Sequence, residues 1–170
     1  MTSTGNHPPV GQLRGVGQSK SSVRTGKTKI LVVDDQMPVA LMMVFLFTRA
    51  GCEAEAATNA EKALRLAQTQ VFDLITLDLE MPSLNGFDLF ERLKEIPHLA
   101  ETPIVFVAGN ASIENQQRGL DLGAVDFIEK PFDTQDFLFR ILSHTNAKFC
   151  PSDVPDENPD TDTQSLCNTP

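Results

Sequence analysis

The sequence predicts an α/β domain built on a doubly wound, five-stranded parallel sheet, a (βα)5 arrangement. Short apolar, β-prone runs alternate five times with segments of helical periodicity, and such alternation specifies parallel strands joined by crossover helices. The runs are also nearly continuous, as strands covered on both faces are. Several end abruptly on a charged residue followed by turn-forming residues, which marks the mouth of such a sheet.

The first strand reads Lys29-Ile30-Leu31-Val32-Val33 and runs into Asp34-Asp35. Met37 to Ala50 has helical character, with Pro38 tolerated in the first turn and Gly51 as the stop. Glu53 to Ala57 is a weaker second strand. Asn59 caps a helix through about Gln70, with Ala60, Ala63, Leu64 and Ala67 at helical spacing. Asp73 to Asp78 forms the third strand and Gly86 to Glu95 the third helix. Pro103 opens a fourth strand, Ile104 to Val107, and a helix follows over Ser112 to Leu122, stopped by Gly123. Val125 to Glu129 is the fifth strand, ended by Lys130-Pro131, and Asp133 caps a last helix through about Asn146.

Residues 1–26 lack apolar periodicity and are rich in Gly, Ser, Thr, Gln and Pro, as a disordered arm is. Gly26-Lys27-Thr28 imitates the end of a phosphate loop. That motif needs glycine at position 21, which is Ser21, and must follow a strand rather than precede one. Residues 27–146 hold the folded domain. Residues 147–170 carry Pro, Asp, Asn and Thr with few apolar side chains, an expected disordered acidic tail with no output domain.

A formal net charge of −9 argues against nonspecific contact with nucleic acid or anionic membrane, so neither DNA nor a membrane is an expected partner. The three cysteines, Cys52, Cys150 and Cys167, are scattered without metal-type spacing and suit reduced thiols of a cytoplasmic protein. There is no signal-type apolar core at the start, and the run from Met37 to Phe47 is far shorter than the ~20 residues a membrane span needs.

The carboxyl ends of parallel strands share one edge of the sheet. Asp34 and Asp35 end the first strand, Asp78 the third and Lys130 the fifth. Three carboxylates brought together repel and call for a cation. An all-oxygen site selects a hard ion such as Mg²⁺. A lysine facing that cluster suits an incoming phosphoryl group, which it meets as a point charge.

Val32-Val33-Asp34-Asp35, Leu77-Asp78-Leu79-Glu80-Met81-Pro82 with Asn85-Gly86, and Glu129-Lys130-Pro131-Phe132 together resemble the signatures of the response-regulator receiver domain. The resemblance covers about residues 28 to 146. It implies a flavodoxin-like fold with strand order 2-1-3-4-5 and phosphorylation on aspartate by a histidine kinase or histidine phosphotransfer protein. By motif match, Asp78 is the implied phosphoacceptor. Asp35, Asp78 and the Glu80 backbone carbonyl are the implied Mg²⁺ ligands, assisted by Asp34. Lys130 is implied to pair with the phosphoryl group, the Gly109 backbone to contact it, and Phe127 to be the switch aromatic.

One position departs from the family pattern. The fourth strand should end on Thr or Ser before a small residue, yet the chain reads Ile104-Val105-Phe106-Val107-Ala108-Gly109. In the family that hydroxyl bonds a phosphoryl oxygen and couples it to the aromatic. A lost charge-assisted hydrogen bond is worth about 1.5–3 kcal/mol, a bias of roughly tenfold to a hundredfold between two states. Asn110 or Ser112 could substitute, though both lie beyond the expected position.

The first helix carries two apolar stripes. Val39, Met42, Met43, Leu46 and Phe47 make one, and Leu41, Val44, Phe45 and Thr48 the other. Only one can face the sheet. Leu41, Val44 and Phe45 are therefore expected as a docking patch for a kinase, a phosphotransfer protein or a second copy, unless neighbouring segments bury them. His7, His98 and His144 are dispersed and expected at the surface, and Met42-Met43 as core filler.

The reading that follows is a stand-alone receiver, not an enzyme, that accepts a phosphoryl group and acts on a downstream protein by direct contact. The alternative is a receiver-like interaction module that works without phosphorylation because of Ala108. Phosphate-ester hydrolysis by the acidic cluster is disfavoured, since no further general acid or base accompanies it.

Overall fold

The computed structural model describes residues 26–145 except Ser83. The arm and the tail expected from the sequence lie outside the described residues, apart from Gly26. The order of elements is β1 (Lys29–Val33), α1 (Met37–Arg49), β2 (Glu53–Ala57), α2 (Ala60–Thr69), β3 (Leu74–Leu77), α3 (Gly86–Lys94), a single 3₁₀ turn (Pro97–Leu99), β4 (Ile104–Ala108), α4 (Ile113–Asp121), β5 (Asp126–Glu129) and α5 (Thr134–Ser143). All pairings are parallel and the sheet runs β2-β1-β3-β4-β5, the order the resemblance implied.

The helix boundaries follow from their caps. Asn59, Asn85, Ser112 and Asp133 each accept a backbone N–H of the first turn of the helix they precede. Gly51 and Gly123 close α1 and α4 with φ of +83° and +101°, a region where a Cβ would be strained. The last helix ends at Ser143, three residues short of the expected Asn146, and His144 and Thr145 turn back onto the carbonyls of Ile141 and Leu142.

Each face of the sheet carries its own core. Ile30, Val32, Leu74, Val105, Val107 and Ile128 pack under α1 and α5, where Ala40, Met43, Phe47, Phe137, Leu138, Ile141 and Leu142 meet them. Leu31, Val33, Ile75, Leu77, Ile104 and Phe106 point the other way, against α2 and α3. β1 therefore sends its helix to one face and β3 sends its helix to the other. The two connections diverge at the carboxyl end and leave a crevice where strand order reverses.

The first helix corrects the expectation drawn from its stripes. Ala40, Met43 and Phe47 are buried, while Val44 is half-buried against the core and not part of a free patch. Met42, expected to face inward, is exposed. The outward residues are Met37, Leu41, Met42 and Phe45, at 50%, 54%, 44% and 58% exposure. Both stripes are apolar, so periodicity alone offered no contrast to choose between them.

Candidate functional site: an acidic cluster at the switch point of the sheet

Strand register delivers the acidic residues. Val33 lies opposite Leu77, and the ladder continues one residue further through Asp34 N–H to Ala57 (3.1 Å) and Asp78 N–H to Val33 (2.9 Å). On the far side, Lys130 N–H donates to the Ala108 carbonyl at 2.9 Å. These bonds fix the backbones of Asp34, Asp78 and Lys130 at the crevice before any side chain interacts.

The side chains then converge. Lys130 Nζ donates to Asp34 Oδ2 at 2.6 Å and lies 3.3 Å from Asp78 Oδ2. Asp34 is fully buried, and its other oxygen accepts the Gln36 N–H at 2.9 Å. Asp34, Asp35 and Asp78 each bring one carboxylate oxygen within 4.8 Å of the others. Asp35 Oδ1 and Asp78 Oδ1 are buried without a hydrogen-bond partner. Burying a carboxylate oxygen without a donor is costly. Two such oxygens beside a third carboxylate are what a hard divalent cation satisfies, so the residues present fit Mg²⁺.

Asp78 feels the crowding. Burial pushes its carboxyl above the usual range, the Lys130 ammonium pulls it down, and the Asp34 carboxylate raises it again. Hydrogen bonds from Lys130 and the Glu80 backbone lower it further without cancelling the burial.

Gly86, the first residue of α3, sits against this strand end. A Cβ built there would lie 2.3 Å from the Asp78 carbonyl oxygen and 2.7 Å from the Leu79 Cα. Both neighbours are backbone and have little room to yield. Gly86→Ala is expected to destabilise the domain by at least about 1–3 kcal/mol, the ordinary range for overpacking. Thermal unfolding would read this as a lowered Tm, and an unchanged Tm would contradict the close approach.

The remaining sequence-derived residues are placed as follows. Ala108 is fully buried at the end of β4, opposite Glu129, and Gly109 follows it at the exposed rim beside Glu80. Both suggested substitutes for the absent hydroxyl accept local backbone bonds, the Ser112 hydroxyl from the Asn115 N–H as the cap of α4 and Asn110 Oδ1 from the Ser112 N–H at 3.3 Å. Phe127 is half-buried and packs 5.9 Å from Phe106, ring to ring. Sequence reasoning missed Phe106, which also meets Phe87 at 5.2 Å and Phe90 at 5.6 Å. Its only sequence signal was its place on the face of β4 opposite Val105 and Val107.

A second polar cluster lies behind β5. Arg140 of α5 grips Asp126 with two hydrogen bonds, 3.0 and 2.6 Å, and donates to the Phe127 carbonyl at 2.9 Å. Burial pushes the Asp126 carboxyl up, but Arg140 and the Phe127 N–H outweigh it and hold the group below the usual range. His144, expected at the surface, is half-buried with Nε2 3.6 Å from Asp126. His98 is exposed as expected, though its Nε2 lies 2.8 Å from the Ala67 carbonyl at the end of α2. His7 lies outside the described residues.

A family model described as the response regulator receiver domain matches residues 30–142, a span that contains every element of the sheet from Ile30 onward. The chain belongs to that family. Among solved structures, this receiver domain resembles the chemotaxis protein CheY4 of Vibrio cholerae, with TM-score 0.65 and 32% identity over 69% of this chain and 100% of that one. It also resembles the HemR receiver domain of Leptospira biflexa, with TM-score 0.66 and 31% identity over 72% and 97% of the two chains. The phosphate regulon transcriptional regulatory protein PhoB of Pseudomonas aeruginosa is 34% identical over 68% of this chain and 50% of its own length. This chain thus spans about half the length of the curated relatives it matches. Among the described residues no helix is long and apolar enough to cross a membrane.

Proposed function

We propose that this receiver domain accepts a phosphoryl group on Asp78 from the phosphohistidine of a histidine kinase or phosphotransfer protein. The observation that carries the proposal is Asp78 itself, a buried carboxylate whose Oδ1 has no partner while Lys130 flanks Oδ2. In the transfer an Asp78 oxygen forms a bond to phosphorus as the phosphorus–nitrogen bond of phosphohistidine breaks. The donor imidazole leaves with the electron pair. Lys130, fixed by Asp34, supplies positive charge to the incoming phosphoryl oxygens, and the Gly109 backbone lies at the rim where they arrive. Asp34, Asp35 and Asp78, with the Glu80 carbonyl, would hold Mg²⁺, which when bound neutralises charge on the transferring oxygens.

In this reading the protein works in the cytoplasm as a stand-alone carrier of the phosphoryl group and acts on a downstream protein by contact rather than as an enzyme. A second reading, a module whose contacts ignore phosphorylation, draws on Ala108. The hydroxyl that would tie a phosphoryl oxygen to Phe127 is absent, and Asn110 and Ser112 lie in the turn that opens α4 rather than at the end of β4.

Amide spectra recorded with Mg²⁺ and beryllofluoride separate the two. Shifts confined to the surroundings of Asp78 would indicate phosphorylation without readout. Shifts reaching Phe127 and α5 would indicate a switch that works through packing. Partner binding without any shift would sink the phosphoacceptor reading. Restoring the hydroxyl with Ala108→Thr is expected to widen the affinity gap between modified and unmodified protein for its partner by roughly tenfold to a hundredfold. An unchanged gap, measured by titration calorimetry, would refute that coupling.

A further inference from the structure

Ala108 leaves Phe127 without a polar tie to Asp78, yet the two are joined through packed carbon. Ala108 is fully buried, and its methyl group can neither donate a hydrogen bond nor accept one. Two residues earlier, on the same face of β4, stands Phe106, also fully buried. Contacts converge on that ring from both sides of the gap.

The first contact lies in the main chain. Gly86 opens α3 against the Asp78 carbonyl oxygen and the Leu79 Cα, so closely that a Cβ there would have no room. Its N–H also donates to the Leu79 carbonyl at 3.0 Å. The Asp78–Leu79 peptide therefore bears directly on the first turn of α3. A phosphoryl group on Asp78 and a cation on the Glu80 carbonyl would both load this segment. Interiors packed this closely transmit a shift rather than absorb it.

Phe87 comes next in that turn, its N–H held by Asn85 Oδ1 at 2.9 Å. Its ring meets Phe106 edge to face, with centroids 5.2 Å apart and planes at 65°. Phe106 in turn lies 5.9 Å from Phe127. Helix α4 closes over these rings. A Cβ built on Gly119 would lie 3.0 Å from Phe106 Cδ2 and 3.5 Å from Phe127 Cδ2. The Arg118 guanidinium stands 4.2 Å above the Phe87 ring. Aromatic pairs favour particular relative orientations, so a ring that moves biases the one against it. Chains of packed side chains of this kind carry coupling between separated sites.

We propose that Phe106 couples the phosphoacceptor loop to Phe127 in place of the hydroxyl absent at Ala108, along a route through Gly86 and Phe87. Phe106 is a positioning residue, acting through carbon contacts and not on the phosphoryl group. The route rests on phosphorylation at Asp78. It makes a modification there felt at Phe127 and at Gly119 by packing alone.

The test compares amide spectra of the full chain with and without Mg²⁺ and beryllofluoride. In the parent protein, shifts are expected around Asp78 and also at Phe127 and Gly119. Phe106→Leu should keep the shifts around Asp78 and lose those at Phe127. Phe87→Leu should do the same, and it decides the matter should Phe106→Leu unfold. Phe90→Leu is the comparison, because that ring also stacks on Phe106, at 5.6 Å, but lies three residues beyond Phe87 along α3. It should keep both sets of shifts. Adding Ala108→Thr to Phe106→Leu should bring the Phe127 shifts back through the restored hydroxyl. Parent shifts confined to Asp78, or Phe127 shifts that persist without the Phe106 or Phe87 ring, would overturn the route and leave phosphoacceptance standing. Losses as large in Phe90→Leu, or losses that Ala108→Thr does not reverse, would also overturn it, since loosened packing would then be the cause. A parent protein with no shifts around Asp78 would overturn the phosphoacceptor reading and the route together.

Discussion

Asp78→Asn is expected to reduce phosphoryl incorporation from a radiolabelled donor to background while the protein becomes more stable in the absence of Mg²⁺. The first effect is the loss of the carboxylate whose Oδ2 lies 3.3 Å from the Lys130 ammonium and whose buried Oδ1 has no hydrogen-bond partner. The second follows from the electrostatics. Burial and the Asp34 carboxylate raise the Asp78 carboxyl, with Lys130 only partly opposing them. A carboxyl raised in the folded state binds its proton more readily there than in the unfolded chain, so stability falls as pH rises between the unfolded and folded pKa values. Above that window the whole penalty is present, and the neutral amide removes it. Thermal unfolding without Mg²⁺ should give a higher Tm for the variant at neutral pH, with the difference shrinking as pH falls through the window. A variant that still takes up label, or whose Tm drops, would contradict this account of the site.

Lys130→Met should act in the opposite direction and more strongly on stability. The ammonium bonds Asp34 at 2.6 Å and is the nearest positive charge to Asp78. Without it the fully buried Asp34 retains only the Gln36 N–H. Leaving one member of a buried ion pair unpartnered typically costs about 3–5 kcal/mol, a fall in Tm of roughly 10 °C or more for a domain of this size. Millimolar Mg²⁺ should recover part of that loss, since the cation replaces the missing charge next to the same oxygens. If Mg²⁺ raises the Tm of the parent protein but not of the variant, the carboxylates are not the ligands.

Much of the architecture could be read from residue order alone, for a physical reason. Strands buried on both faces must be continuously apolar, so their ends are sharp, and a charge at such an end has only the crevice to occupy. That logic places Asp34, Asp78 and Lys130 without any knowledge of tertiary contacts. It fails where contrast is missing. In α1 every candidate face is apolar, and spacing alone turns Val44 outward and Met42 inward, the reverse of where they lie. It also fails where a bond joins distant segments. Nothing near Asp126 or Arg140 signals their pairing, and only the turn geometry reveals that the Ser112 hydroxyl and the Asn110 amide oxygen each accept a local backbone N–H.

The guanidinium of Arg140 holds both the Asp126 side chain and the Phe127 main chain. One rivet thereby fastens the outermost strand to the closing helix, on the segment that bears the aromatic. Any displacement of that ring which shifts its own peptide plane must drag the helix along or break three bonds at once. The edge of the sheet and the last helix are thereby joined both at the aromatic and at the residue before it.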